Sequence, residues 1–122
     1  MSLKILAIDD SRTIREMLRM CLARAGFDVH TAEDGVAGLD CLDAVDPDVV
    51  ITDINMPRLD GFGVITAIRE NAERTALPIL VLTTESAQDL KQRARESGVT
   101  GWVVKPFDDV KLIAAIRRIA ST

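Results

Sequence analysis

KILAIDDS (4–11) decides the fold. A short apolar run, without alternation, ends abruptly in two aspartates and a serine. Strands covered on both faces read this way. Working outward, three more runs repeat the pattern. VVIT (49–52) ends at Asp53, ILVL (79–82) at Thr83 and Thr84, and WVV (102–104) at Lys105. As parallel strands of one sheet, they bring these residues together at its carboxyl edge. Open α/β sheets bind ligands in the crevice at that edge. An Asp pair, a further Asp, a hydroxyl and an ammonium converging there point to divalent-metal and phosphoryl chemistry.

The stretches between the runs have helical spacing. Residues 11–25 carry Ile14, Met17, Leu18, Cys21, Leu22 and Ala25. Residues 34–45 carry Val36, Leu39, Leu42 and Val45, and residues 60–72 carry Val64, Ile65 and Ile68. Residues 108–120 place Val110, Ile113, Ile116 and Ile119 on one face. Residues 86–97 have only Ala87, Leu90 and Ala94, which predicts a lightly anchored helix. Ser11, Asp34 and Asp60 are suited to cap helix N-termini. Gly26 and Gly98 stand where helices end in a left-handed residue. Asp46–Pro47 breaks the chain before the third strand, and Pro78 precedes the fourth. A second strand near 27–31 completes five β-α repeats, which implies parallel pairing with right-handed crossovers.

Composition narrows the function. At 122 residues the chain is expected to be one domain, 1–122, with no tethered output domain. Hydrophobic content of 48% and charged content of 28% exclude disorder. No run approaches the roughly 18–20 apolar residues of a spanning helix, so no membrane insertion is expected. With an apolar strand expected from residue 4, no signal peptide is expected. A net charge of −4 without a basic block argues against nucleic-acid binding. Cys21 and Cys41 fit no metal-ligand spacing and are expected to be buried, reduced thiols of a cytoplasmic protein. His30, ending the second strand, is expected to be an ordinary structural or surface residue.

The chemistry follows from crowding. Asp9, Asp10 and Asp53 repel one another unless a hard divalent cation relieves them. Mg²⁺ takes carboxylate and phosphate oxygens and keeps several waters. A carboxylate also serves as a nucleophile, forming an aspartyl phosphate. A lysine and a hydroxyl then steady the equatorial oxygens of the transferring group.

With IDDS (8–11), TDINMPRLDGF (52–62), LTTES (82–86) and GWVVKPF (101–107), the chain resembles, over its whole length, the receiver domain of two-component response regulators. Within them it is most similar to stand-alone chemotaxis regulators of the CheY type. The resemblance implies a flavodoxin-like, doubly wound α/β fold with a five-stranded parallel sheet in order 2-1-3-4-5 and five helices. It implies Asp53 as phosphoacceptor and Asp10 as direct Mg²⁺ ligand, with Asp9 holding the metal through water and Asn55 adding its backbone carbonyl. Mn²⁺ is expected to substitute. Lys105 would pair with phosphoryl oxygens, and its bond to Pro106 would be cis. Thr83 would hydrogen-bond the phosphoryl group, and Thr84 would leave room for the donor. Asn55 and Glu85, the latter facing solvent, would flank the path of attacking water. Met56 and Pro57 shape the loop beside the acceptor, and Gly61 and Gly63 turn the chain into the third helix.

The implied switch couples Thr83 to an aromatic residue at the position of Trp102, on a face made of helix 4, strand 5 and helix 5. The family commonly has Tyr or Phe there. Implied partners are a sensor histidine kinase and a downstream protein, with the flagellar motor switch the first expectation. A phosphate sink or relay receiver for a non-motility pathway is the alternative. The expected state is a monomer that is no conventional turnover enzyme.

Two other classes fit worse. An Asp-nucleophile phosphohydrolase of the haloacid dehalogenase kind wants DxDx[TV] after the first strand, where this chain has DDS. A flavin carrier of the same fold wants a Ser/Thr/Gly-rich phosphate loop there. DDSRTIR (9–15) does not offer one, and aromatics are only 3%.

Overall fold

Strands and helices alternate from end to end. The computed structural model describes residues 2–120; Met1, Ser121 and Thr122, the ends of the expected 1–122 domain, lie outside the described residues. Strand β1 (Lys4–Ile8) leads to helix α1 (Arg12–Arg24), and β2 (Asp28–Ala32) to α2 (Gly35–Val45). Then come β3 (Val49–Thr52), α3 (Gly61–Glu70), β4 (Ile79–Thr83), α4 (Gln88–Ser97), β5 (Gly101–Val104) and α5 (Asp109–Ala120). All strand pairs are parallel and the order is β2-β1-β3-β4-β5, the order the resemblance implied.

The sheet is apolar on both faces because its side chains alternate. Ile5 and Ala7 face a layer holding Leu18, Cys21 and Leu22 of α1 and Leu112, Ile116 and Ile119 of α5. Leu6 and Ile8 face the other layer, with Leu42 of α2, Val64, Ile65 and Ile68 of α3, and Ala94 of α4. Strands β3 and β4 are buried at every residue. Burying one such Ile, Leu or Val side chain is worth about 1.5–3 kcal/mol, so these strands anchor the sheet.

The expected caps form. Ser11, Asp34 and Asp60 accept from the backbone N–H of Ile14, Ala37 and Gly63. Gly26 and Gly98 have φ of +93° and +98°. Helix α2 ends instead at Asp46, a left-handed residue with φ +49° just before Pro47, a stop that carries no glycine to mark it.

Several packing expectations change. In α5 the inward face uses Leu112, Ile116 and Ile119, while Val110 is 76% exposed. In α1, Met17 is 47% exposed. In α2 the buried residues are Gly35, Gly38 and Leu42, and Val36, Leu39 and Val45 are only half-buried. Gly38 is inward because Ile8 packs where a Cβ would stand. Cys21 is buried but Cys41 only half so, and both are free thiols. Strand β2 runs on to Ala32, so His30 lies mid-strand, beside Asp28 at 3.3 Å.

Candidate functional site

Sheet pairing delivers the site residues to one edge. The Asp9 N–H donates to the Ala32 carbonyl, the Asp53 N–H to the Ile8 carbonyl, and the Lys105 N–H to the Thr83 carbonyl. Each strand therefore stays in register for one residue past its regular end. That locks the three functional residues to their neighbours' backbones.

There Lys105 Nζ donates to Asp9 Oδ2 at 2.7 Å and to Asp53 Oδ2 at 2.9 Å. All three side chains are nearly buried, at 10%, 3% and 11% exposure. Two buried carboxylates thus share one cation. The remaining Asp9 oxygen accepts from the Ser11 N–H, and the remaining Asp53 oxygen from the Ile54 N–H. Burial raises the Asp9 pKa, with the bonds from Lys105 and Ser11 acting against it. Burial works to lower the Lys105 pKa, but its two carboxylate partners outweigh this and hold it above its ordinary value.

Asp10 is exposed, and its carboxylate joins those of Asp9 and Asp53 in a group whose ligand atoms lie within 4.8 Å of one another. An all-oxygen, multiply anionic donor set suits a hard divalent cation such as Mg²⁺. The residues present therefore fit the group that the sequence implies.

On the other side of Asp53, Thr83 is fully buried at the end of β4 and its hydroxyl accepts from the Glu85 N–H at 3.3 Å. Thr84 is exposed. Asn55 Nδ2 donates to Glu85 Oε1 at 3.0 Å, and Trp102 Nε1 donates to the Glu85 carbonyl at 3.1 Å. Glu85 was expected to face solvent. It is half-buried and joins the acceptor loop to the fifth strand. The Lys105–Pro106 peptide bond is cis, as the resemblance implied.

Two supporting arginines escaped the sequence reading. Arg15, on α1, donates to the Asp9 carbonyl at 2.8 Å. Arg58 pairs with buried Asp34. Neither lies at a strand end, and the sequence signal at Asp34 is fully accounted for by its capping role.

This edge is that of a response-regulator receiver domain. The family model for that domain matches residues 5–117, and the chain belongs to the family. Among solved structures it is similar to the chemotaxis response regulator CheY4 of Vibrio cholerae, with 40% identity and a TM-score of 0.93 over 98% of this chain and 99% of that one. It is also similar to the signal receiver domain of a signal-transduction histidine kinase from Syntrophus aciditrophicus, at 28% identity and TM-score 0.90, covering 98% and 91% of the two chains. Among curated proteins it is 38% identical to the response regulator MprA of Mycobacterium bovis over 98% of this chain. The chain spans about half the length of that relative, 51%. No helix among the described residues is long and apolar enough to cross a membrane.

Proposed function

We propose that this receiver takes a phosphoryl group from a histidine kinase onto Asp53 and uses it to reshape the α4–β5–α5 face for a protein partner. The observation that carries the reading is the shared Lys105 ammonium between Asp9 and Asp53, beside the open carboxylate of Asp10. An Asp53 oxygen attacks phosphorus, the bond to the donor imidazole nitrogen breaks, and its electron pair leaves with that nitrogen. Asp9, Asp10, Asp53 and the Asn55 carbonyl would hold Mg²⁺, or Mn²⁺ in its place. The cation supplies charge neutralisation at the phosphoryl oxygens. Lys105 offers its ammonium to the same oxygens. Thr83 keeps an O–H to donate while its oxygen accepts from Glu85. The exposed Thr84 leaves the donor room. Asn55 and Glu85, bonded to each other, gate the approach of hydrolytic water.

The switch is electrostatic. A phosphoryl group adds about −1.5 to −2 charge and three acceptor oxygens. Thr83 moving toward them tugs the Glu85 N–H that it accepts, and Glu85 holds the Trp102 indole N–H by its carbonyl. Chemotaxis and the flagellar motor switch are the first reading of the output, supported by the likeness to CheY4. A phosphate sink or relay role is the second, supported by the likeness to a receiver within a histidine kinase. In either role the protein is a cytoplasmic monomer that carries one phosphoryl group and does not turn over substrate as a conventional enzyme.

Intact mass after incubation with acetyl phosphate and Mg²⁺ tests the reading. The wild type gains one phosphoryl group, and the gain disappears without Mg²⁺ and in Asp53→Asn. A full gain in Asp53→Asn would overturn it.

A further inference from the structure

The loop that leaves Asp53 is held in a strained shape by a residue outside the site. The Leu59 N–H donates to the Pro57 carbonyl at 2.8 Å, closing a three-residue turn around Arg58. Arg58 has φ +68°, a conformation that L side chains rarely adopt. Turns of this positive-φ kind are rare and strained. Such strain persists only where the surroundings over-determine it. Here the surroundings are Asp34. Arg58 Nε donates to Asp34 Oδ2 at 2.8 Å and Nη2 to Asp34 Oδ1 at 3.0 Å, a paired geometry. The same Oδ1 caps α2 through the Ala37 N–H, so the anchor is itself fixed. Gly35 completes the seat, since a Cβ there would come within 2.8 Å of Leu59 Cβ. The loop is pinned at its ends by Gly61 N–H on the Ile54 carbonyl and by the Asp60 cap. Between those pins, Met56 and Leu59 pack against the inner cluster, and the loop's side-chain hydrogen bonds to other parts of the chain run from Asn55 to Glu85 and from Arg58 to Asp34.

We propose that the Asp34–Arg58 pair is a positioning clamp that holds the 55–59 loop in its strained turn and so presents the Asn55 carbonyl to the cation. Arg58 is a positioning residue and touches no reacting atom. The inference rests on the proposed metal role of Asn55.

The sign of one measurement separates positioning from charge. Removing a cation near a cation site tightens Mg²⁺ binding through electrostatics alone. Releasing the loop weakens it. Calorimetric Mg²⁺ titration of Arg58→Ala is expected to show about three- to tenfold weaker binding, at or below the lower end of the effect of removing a ligand's hydrogen-bond partner. Arg58→Lys falls between, because an ammonium cannot make the paired contact. Arg58→Gly is the second variant. It relieves the positive φ, so its melting temperature holds or rises, yet its Mg²⁺ affinity falls as in Arg58→Ala. A merely structural contact would not split stability from affinity this way. Asp34→Asn, which keeps a cap oxygen, also weakens binding, and the double variant with Arg58→Ala is no weaker than the worse single. A folded Arg58→Ala that binds Mg²⁺ as tightly as wild type, or tighter, overturns the clamp alone. A wild type that takes up no Mg²⁺, or whose uptake is unchanged by Asp10→Asn, overturns the metal reading and the clamp with it.

Discussion

At the scale of single residues, Lys105 carries the most. It sits 2.7 Å from Asp9 and 2.9 Å from Asp53, where it is the cation that both buried carboxylates share. Removing one partner of a buried pair leaves an uncompensated charge, which costs more than the pair itself contributes. Lys105→Ala is therefore expected to lose about 3 kcal/mol in metal-free buffer. Mg²⁺ should recover much of that loss, and bind the variant more tightly than the wild type, because a competing cation has gone. Thermal melts with and without Mg²⁺ check this; an unchanged metal-free melting temperature would show that the carboxylates do not need the ammonium. Trp102 is a different case. Its indole N–H already bonds the Glu85 carbonyl, and its ring packs beside the inner cluster with Leu90 and Val99. The donor that Phe lacks thus ties the fifth strand to the segment after Thr83.

At the scale of elements, α4 and α5 show how unevenly the sheet is covered. Helix α4 buries only Ala94 and starts at Ala87 without a side-chain cap. Helix α3 buries Phe62, Val64, Ile65 and Ile68 and has the Asp60 cap. Few apolar contacts mean low local opening free energy. Two arginines compensate in part: Arg93 lies 3.9 Å over the Phe62 ring, and Arg69 donates to the Gly98 carbonyl at the helix end. Amide hydrogen exchange is expected to be faster in α4 than in α3. Arg93→Ala should speed α4 further, by about 0.5–1 kcal/mol of opening free energy, and leave α3 unchanged. Equal protection in the two helices would contradict the account. Helix α5 offers a sharper contrast. Leu112 is fully buried between α1 and the sheet, whereas Val110 is 76% exposed. Leu112→Ala should cost about 2–5 kcal/mol and Val110→Ala less than about 0.5 kcal/mol, read by denaturant unfolding.

At the scale of the whole molecule, pH reports on the core. Burial first, then the nearby Asp109 carboxylate, pushes the Cys21 thiol up from 9.0 to about 11. The folded state therefore keeps a proton that the unfolded state gives up. A raised folded pKa contributes stability that is complete below the unfolded value. That stability is lost as pH rises through the folded value. The window is thus pH 9.0 to about 11. The chain has no tyrosine to titrate across it. The stability difference between wild type and Cys21→Ala should be constant below pH 8.5 or so and shift against the wild type across the window. A difference independent of pH up to 11 would mean that the thiol ionises alike in both states.

What the sequence determined by itself was everything written in local order. The runs KILAI and VVIT marked β1 and β3 to the residue, because a strand covered on both faces reads as apolar without alternation and stops where charged residues begin. Ser11, Asp34 and Asp60 marked helix starts, since a cap acts on the next three residues. Asp9, Asp10, Asp53, Thr83 and Lys105 were legible as one edge because parallel strands all end on the same side. Whatever depends on which face meets which was left to tertiary structure. A helix stripe cannot say whether Val110 or Leu112 faces the sheet when both are apolar and two positions apart. Gly38 looks like a weak helix residue until Ile8 is packed against it. The Asp34–Arg58 pair joins residues 24 positions apart, and Glu85 meets Asn55 across 30. Glu85 and Asn55 follow the adjacent strands β4 and β3, whereas Asp34 and Arg58 follow β2 and β3 with β1 between them; such contacts exist only once the crossovers have set the strand order, and no local pattern encodes them.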